Sequence, residues 1–215
     1  MLALICCTLI LTILGGLAID ENTTSQEISQ PQEFYEVVYH ETMSYLFFET
    51  TLEGLESRAT YIVRGRIADD ATTVLLYNDR FDPPRFSMGY TVVSLEIYEV
   101  IKGDLTVGDT IRIMETYYIR DDILFVSHSY MPSIPHQEYF FFLSFQLTPD
   151  RLDPHQQELA YVIPVVHGSR GRYRVPEHRY IAPQTFDATY LSVATNGNMD
   201  LHWRLWQEVI AAYMN

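Results

Sequence analysis

Tyr90-Thr91-Val92-Val93-Ser94-Leu95-Glu96-Ile97-Tyr98-Glu99-Val100-Ile101-Lys102-Gly103-Asp104 decides the fold, together with the run that follows, Val107-Gly108-Asp109-Thr110-Ile111-Arg112-Ile113. In the first run Thr91, Val93, Leu95 and Ile97 fall on one face of a strand, with Ser94 and Glu96 on the other. The alternation changes phase near Tyr98–Val100, which predicts a bulge or a sharp coil, the device that lets a barrel strand turn a corner. Gly103 and Gly108 open positive-φ conformations at the turn into the next strand, and Asp104 and Asp109 can bond nearby backbone N–H groups. Long consecutive strands joined by so tight a connection coil on each other, so the stretch reads as the meander of a small β-barrel.

Working outward, Tyr61–Ile67 alternates Tyr61, Val63, Gly65 and Ile67 against Ile62, Arg64 and Arg66, and is the strand before it. Asp69–Gly89 reads as a long irregular segment holding a short strand at Thr73–Tyr77. Thr110–Tyr118 is the third main strand. The fourth is Glu138–Phe145, whose Tyr139-Phe140-Phe141-Phe142-Leu143 is apolar on both faces and therefore buried on both. Arg120–Gln137 between them reads as a loop. Leu159–Val166 is the fifth strand, and Gly168–Val175 follows with alternating arginines. Phe48, Leu52, Leu55 and Ala59 recur at helical spacing, so Ser44–Arg58 reads as an amphipathic helix capped by Ser44. Asp200–Met214 reads as a terminal helix, with Trp203 and Trp206 docking it on the barrel. The expected fold is mainly β: a closed five-stranded barrel of OB type with a helix before it and one after it.

The first residues carry a separate message. Met1–Ala18 holds no charged side chain, Leu2–Leu17 is almost wholly apolar, and Gly16-Leu17-Ala18 puts small residues where a signal peptidase cuts. The expectation is a signal peptide over 1–18, a flexible leader over 19–43 rich in Ser, Thr, Gln and Glu, and one barrel domain over 44–215. An uncleaved leader is the one route to a membrane; its apolar run is shorter than the about 20 residues of a spanning helix. Cys6 and Cys7 are the chain's two cysteines and both lie in this segment, so the remainder must be held by its core and not by disulfides. The protein is therefore expected outside the cytoplasm, secreted or at the cell surface.

The formal net charge is −14, carried wholly after Ala18, with Lys102 the one lysine. Such a surface repels phosphate backbones and anionic headgroups, which argues against nucleic acid as a partner. Seven histidines invite a search for zinc, but no H-E-x-x-H motif and no i, i+4 pair occurs, and no cofactor or metal is expected. G-x-S-x-G, P-loop and G-x-G-x-x-G signatures are likewise absent from the sequence.

Arg170, Arg172 and Arg174 recur at a spacing of two, which in a strand points all three the same way. Guanidinium forks on one row match carboxylate or phosphate geometry, so these residues are the candidate anion site. The plainer reading is a solvent-facing edge strand whose arginines pair with nearby carboxylates. Lys102 is the second candidate ligand contact, since OB barrels bind on their middle strands and adjacent loops; as a plain structural feature it belongs to a reverse turn.

Ala59-Thr60-Tyr61-Ile62-Val63-Arg64-Gly65-Arg66-Ile67, the run Tyr90–Asp104, Val107-Gly108-Asp109-Thr110-Ile111 and Glu138-Tyr139-Phe140-Phe141-Phe142-Leu143 together resemble a pattern of uncharacterised exported bacterial proteins. A similar order of elements occurs in netrin-like domains, including the tissue inhibitors of metalloproteinases. The resemblance covers about Ala59–Val175 and implies an OB-type barrel in an extracytoplasmic setting. The inhibitors reach a protease metal through an amino-terminal Cys that the mature chain lacks, so no inhibitory residue carries over. The resulting expectation is a non-enzymatic binding or interaction module for an unknown extracellular ligand or protein. The rivals are an extracellular hydrolase using loop carboxylates and a structural component of the cell envelope.

Overall fold

Strand-forming alternation and turn chemistry place the elements, and a computed structural model shows how they assemble. It describes residues 36–40, 50–127, 130–166, 168–177 and 199–214, for some of these the backbone alone. The proposed signal peptide, most of the leader and the Ser44 helix start lie outside the described residues.

Three 3-10 turns and two helices accompany ten strands among those residues. The strands are β1 (Glu36–His40), β2 (Tyr61–Ile67), β3 (Thr72–Asn78), β4 (Arg85–Lys102), β5 (Thr110–Glu115), β6 (Tyr117–Arg120), β7 (Ile123–Ser127), β8 (Glu138–Leu143), β9 (Ile163–Pro164) and β10 (Arg172–Arg174). The helices are α1 (Leu52–Arg58) and α2 (Met199–Tyr213). A seven-stranded sheet runs β10-β8-β2-β4-β5-β9 with β3 paired to β4, and a three-stranded sheet runs β1-β7-β6.

The larger sheet is a curled half-barrel and not the closed five-stranded barrel expected. The physical reason lies at the seam. In the expected fifth strand, Leu159–Val166, Leu159 ends the 3-10 turn Pro154–Leu159 and Ala160 and Tyr161 form a turn. Only Ile163 and Pro164 pair with β5, in parallel, and Val165 makes a single bridge to Leu143 of β8. A two-residue ladder cannot close a barrel the way a full strand does. The expected third strand also divides, into β5 and β6, and β6 leaves to join the smaller sheet.

The curl arises in β4, which runs 18 residues and pairs with β2, β3 and β5. Its ladder with β2 skips Ile101 and Tyr98, the region where the alternation changes phase, and each skipped residue adds local twist. Gly103 and Gly108 adopt φ of 97° and 91° in the turn that follows. Two corrections concern segments read as irregular. Asp69–Gly89 is mainly a β3–β4 hairpin, and Arg120–Gln137 contains β7, reached from β6 through Asp121 and Asp122 at φ 53° and 58°. Within the stretch assigned to a leader, Glu36–His40 forms β1, parallel to β7.

β8 divides the core. Tyr139, Phe141 and Leu143 join Val63, Ile67, Leu95, Ile97 and Tyr130 on the concave side. Phe140 and Phe142 pack with Ile62, Tyr173 and α2 residues Leu205, Trp206 and Val209 on the convex side. Each buried aromatic of this kind stabilises by about 1.5–3 kcal/mol. The Trp206 indole donates to the Arg174 carbonyl at 2.8 Å, and Trp203 stacks on Trp206, so the tryptophans dock α2. Thr51 caps α1 by accepting from the Gly54 N–H at 3.1 Å.

Gly65 tests this close packing, because a methyl group there would collide with the Glu96 carbonyl oxygen and the Leu95 side chain. Gly65→Ala is expected to lower stability by about 1–3 kcal/mol in urea titration. An unchanged midpoint would show that β2 and β4 do not approach this closely.

Candidate functional site

The three arginines do not share a solvent-facing row. Arg170 sits half-buried in the 3-10 turn Gly168–Gly171, before the strand begins. Arg172 and Arg174 lie on β10, an end strand of the sheet, directly opposite Phe141 and Tyr139 of β8. Strand alternation then sends both toward the concave side and Tyr173 toward α2.

Arg172 is 1% exposed, and Glu115 at the end of β5 is equally buried. Its Nη1 donates to Glu115 Oε1 at 3.1 Å and to Ser133 Oγ at 2.6 Å, while Nη2 donates to the Met131 carbonyl at 2.8 Å. The Tyr130 hydroxyl donates to the same Glu115 oxygen at 2.6 Å, and the Ser133 hydroxyl donates there too. The guanidinium lies over the Tyr130 and Tyr139 rings at 4.2 and 5.2 Å. Desolvation opposes the Arg172 charge, but Tyr130, Glu115 and Tyr139 outweigh it and hold the group above its usual range. Burial pushes the Tyr130 phenol well up; Arg172 opposes this and the Glu115 carboxylate adds to it. The edge arginine does find a carboxylate, as the plainer reading supposed, but inside the protein and not in water. While the domain is closed this guanidinium cannot meet a soluble anion.

Arg174 donates to Gln137 Oε1 at 2.7 Å. Lys102 lies far from the arginines in sequence and has a task of its own: its Nζ donates to the Glu56 and Ala59 carbonyls at 2.6 Å each. A cation on the last carbonyls of α1 both satisfies them and complements the helix dipole. The structure therefore does not gather Arg170, Arg172, Arg174 and Lys102 into one site.

A different surface gathers aromatic and cationic groups. On the outer part of the β3–β4 hairpin, Tyr77 meets Phe86 edge-on at 5.9 Å, Phe86 meets Tyr118 at 5.5 Å, and Tyr118 stacks on Phe125 at 4.8 Å. Gly89 makes the stack possible, since a Cβ there would occupy the Tyr118 ring. The Arg120 guanidinium lies over both Phe86 and Phe125, at 4.5 and 5.2 Å, with Asp121 at 3.5 Å. Beside this, Arg85 lies 4.6 Å over Phe81. Tyr77 and Phe81 are each 44% exposed and Met88 is 38% exposed. The sequence points to the barrel face beside Asp69–Gly89 and Arg120–Gln137 but singles out none of these residues, because Phe81, Arg85 and Phe86 sit in a segment that reads as an irregular loop. The available signal was the mirror placement of Thr72–Asn78 and Arg85–Val92 about Asp79–Pro84.

Among the described residues no three His, Cys, Asp or Glu side chains are placed to hold a metal ion. No family model, curated protein or solved structure matches the chain.

Removing one member of the buried pair strands a charge. Arg172→Met is expected to cost about 3–5 kcal/mol, and adding Glu115→Leu should recover a large part of that loss in chemical denaturation. A single variant within 1 kcal/mol of the parent would contradict the buried pair. Lys102→Met should cost about 1 kcal/mol through the two helix carbonyls it leaves without their cation. A melt unchanged by Lys102→Met would remove the capping role.

Proposed function

We propose that the protein is a non-enzymatic interaction module working outside the cytoplasm, and that the outer β3–β4 hairpin with β6 is its recognition surface. The observation that carries this is the exposure of Tyr77 and Phe81 on a hairpin that bears two arginines seated on rings. Large apolar side chains exposed together are costly for an isolated soluble surface and mark contact sites. Aromatic residues, Met and Arg are also the types enriched where protein interfaces are driest. A ring beneath a guanidinium holds it extended, so little rotamer freedom is lost when a partner docks.

The partner this surface fits is a polypeptide with apolar side chains to cover the rings and a carboxylate or carbonyl to meet Arg85. Among the described residues Arg85 has its ring contact with Phe81 and no carboxylate. A hydrolase would need two carboxylates, or a carboxylate and a histidine, facing one cleft. Glu115, Tyr130 and Arg172 do converge, but they are sealed from solvent, which favours binding over hydrolysis as the reading. The netrin-like sequence pattern bears on the extracytoplasmic setting alone.

Selection from a phage-displayed random peptide library against the intact protein tests the reading. Peptides recovered should bind the triple variant Tyr77→Ala, Phe81→Ala, Arg85→Ala at least about tenfold more weakly, since truncated anchors cost 1.4 kcal/mol or more. The variant's melting should stay close to the parent's, because these side chains lie largely outside the core. Equal binding by the variant, or no selectable peptide, would overturn the assignment.

A further inference from the structure

The docked face of α2 contains a titratable group that no described residue satisfies. His202 is 3% exposed, its ring stacks on Tyr173 at 5.2 Å, and neither ring nitrogen has a hydrogen-bond partner among the described residues. The Tyr173 hydroxyl beside it is buried without a partner as well. Two cations act on the same place: Arg172 from β10 and Arg170 from the turn before it. The remaining charged contacts of α2 lie further along it. Glu208 accepts from the Leu52 N–H and pairs with Arg204, Arg204 donates to the Thr50 carbonyl, and Tyr213 donates to Glu56 of α1.

We propose that α2 is an acid-released element: protonation of His202 expels it from the convex face of the sheet, while the half-barrel stays folded. A protonated imidazole at this position would be a buried cation with no acceptor among the described residues and with two like charges nearby, an arrangement that costs several kcal/mol. Burial first, then Arg172 and Arg170, push the His202 pKa down from 6.5 to about 3. The docked state favours neutral His202, so docking is at full strength above about pH 6.5 and weakens as pH falls from there toward 3. Well below pH 6.5 each pH unit raises the undocking equilibrium about tenfold; between pH 6.5, where the freed imidazole is already half protonated, and pH 5 the rise is about sixteenfold.

Release would uncover Ile62, Phe140, Phe142 and Tyr173, an apolar face now closed by Leu205, Trp206 and Val209. It would act independently of the hairpin surface, which α2 does not enter. The fold itself supplies the readout, because both tryptophans of the chain, Trp203 and Trp206, are on α2.

The experiment follows amide hydrogen exchange of the whole protein, corrected for intrinsic rates, at pH 6.5 and 5. Thermal melts are recorded in parallel by tryptophan emission and by the far-UV β signal. At pH 5 the α2 amides should show an opening constant about sixteenfold higher than at pH 6.5, and larger than that of β2, β4 and β8. The tryptophan melt should then precede the β melt at pH 5 and coincide with it at pH 7.5. His202→Leu, or His202→Gln if the first variant fails to fold, should remove most of the rise and reunite the melts. Equal protection of α2 and the strands at pH 5 would overturn the proposal, as would an acid response that survives in the variant.

Discussion

The Arg172–Glu115 pair is the constraint around which the concave side is organised. Two charges at 1% exposure have left water, and each must be answered by polar groups in fixed positions. Glu115 ends β5, Arg172 opens β10, and Tyr130, Met131 and Ser133 belong to the connection between β7 and β8. The pair thus ties together the two flanks of the curled sheet and one irregular crossing. That is work a full closing strand would do in a complete barrel. Here the seam holds only a two-residue ladder and one bridge, so a directional polar network compensates for the missing backbone hydrogen bonds.

The same short strand links this network to the rest of the molecule. β10 pairs with β8, whose residues face the concave core and the α2 side alternately. Arg172 is thereby aimed inward, Tyr173 outward under α2, and the Arg174 carbonyl toward the Trp206 indole. A shift of one residue in β10 would exchange the two faces, burying the phenol among the ionic groups and the guanidinium under the helix. The neighbourhood of His202 follows from the same register, because the cations that disfavour its charge come from β10 and the turn before it.

The hairpin surface contrasts with both. It is built from local contacts, ring on ring and guanidinium on ring, at the outer end of the longest strand. The ionic network reaches β6 through the stack of Tyr130 on Tyr117 at 6.5 Å, while Tyr77 and Phe81 at the hairpin's outer end stay exposed. Surfaces of that kind, carried on rigid strands, suit recognition.

Alternation and turn chemistry determined a good deal in advance. β2, the inner part of β4 and its phase shift, the two-sided aromatic β8 and α2 all follow from local periodicity, which a chain cannot disguise. The β6–β7 hairpin did not, because Asp121-Asp122 occupies left-handed backbone without the glycine that usually advertises such a turn. The buried fate of Arg172 was equally invisible. An arginine at alternate spacing reads the same whether it meets water or a carboxylate, and Glu115 stands far from it in sequence. Only tertiary folding brought them together, and only the failure of Leu159–Val166 to extend as a strand left the sheet curled instead of closed. Local pattern specifies which elements form and which faces are apolar; long-range pairing decides which charges are buried, since burial depends on neighbours the local sequence does not contain.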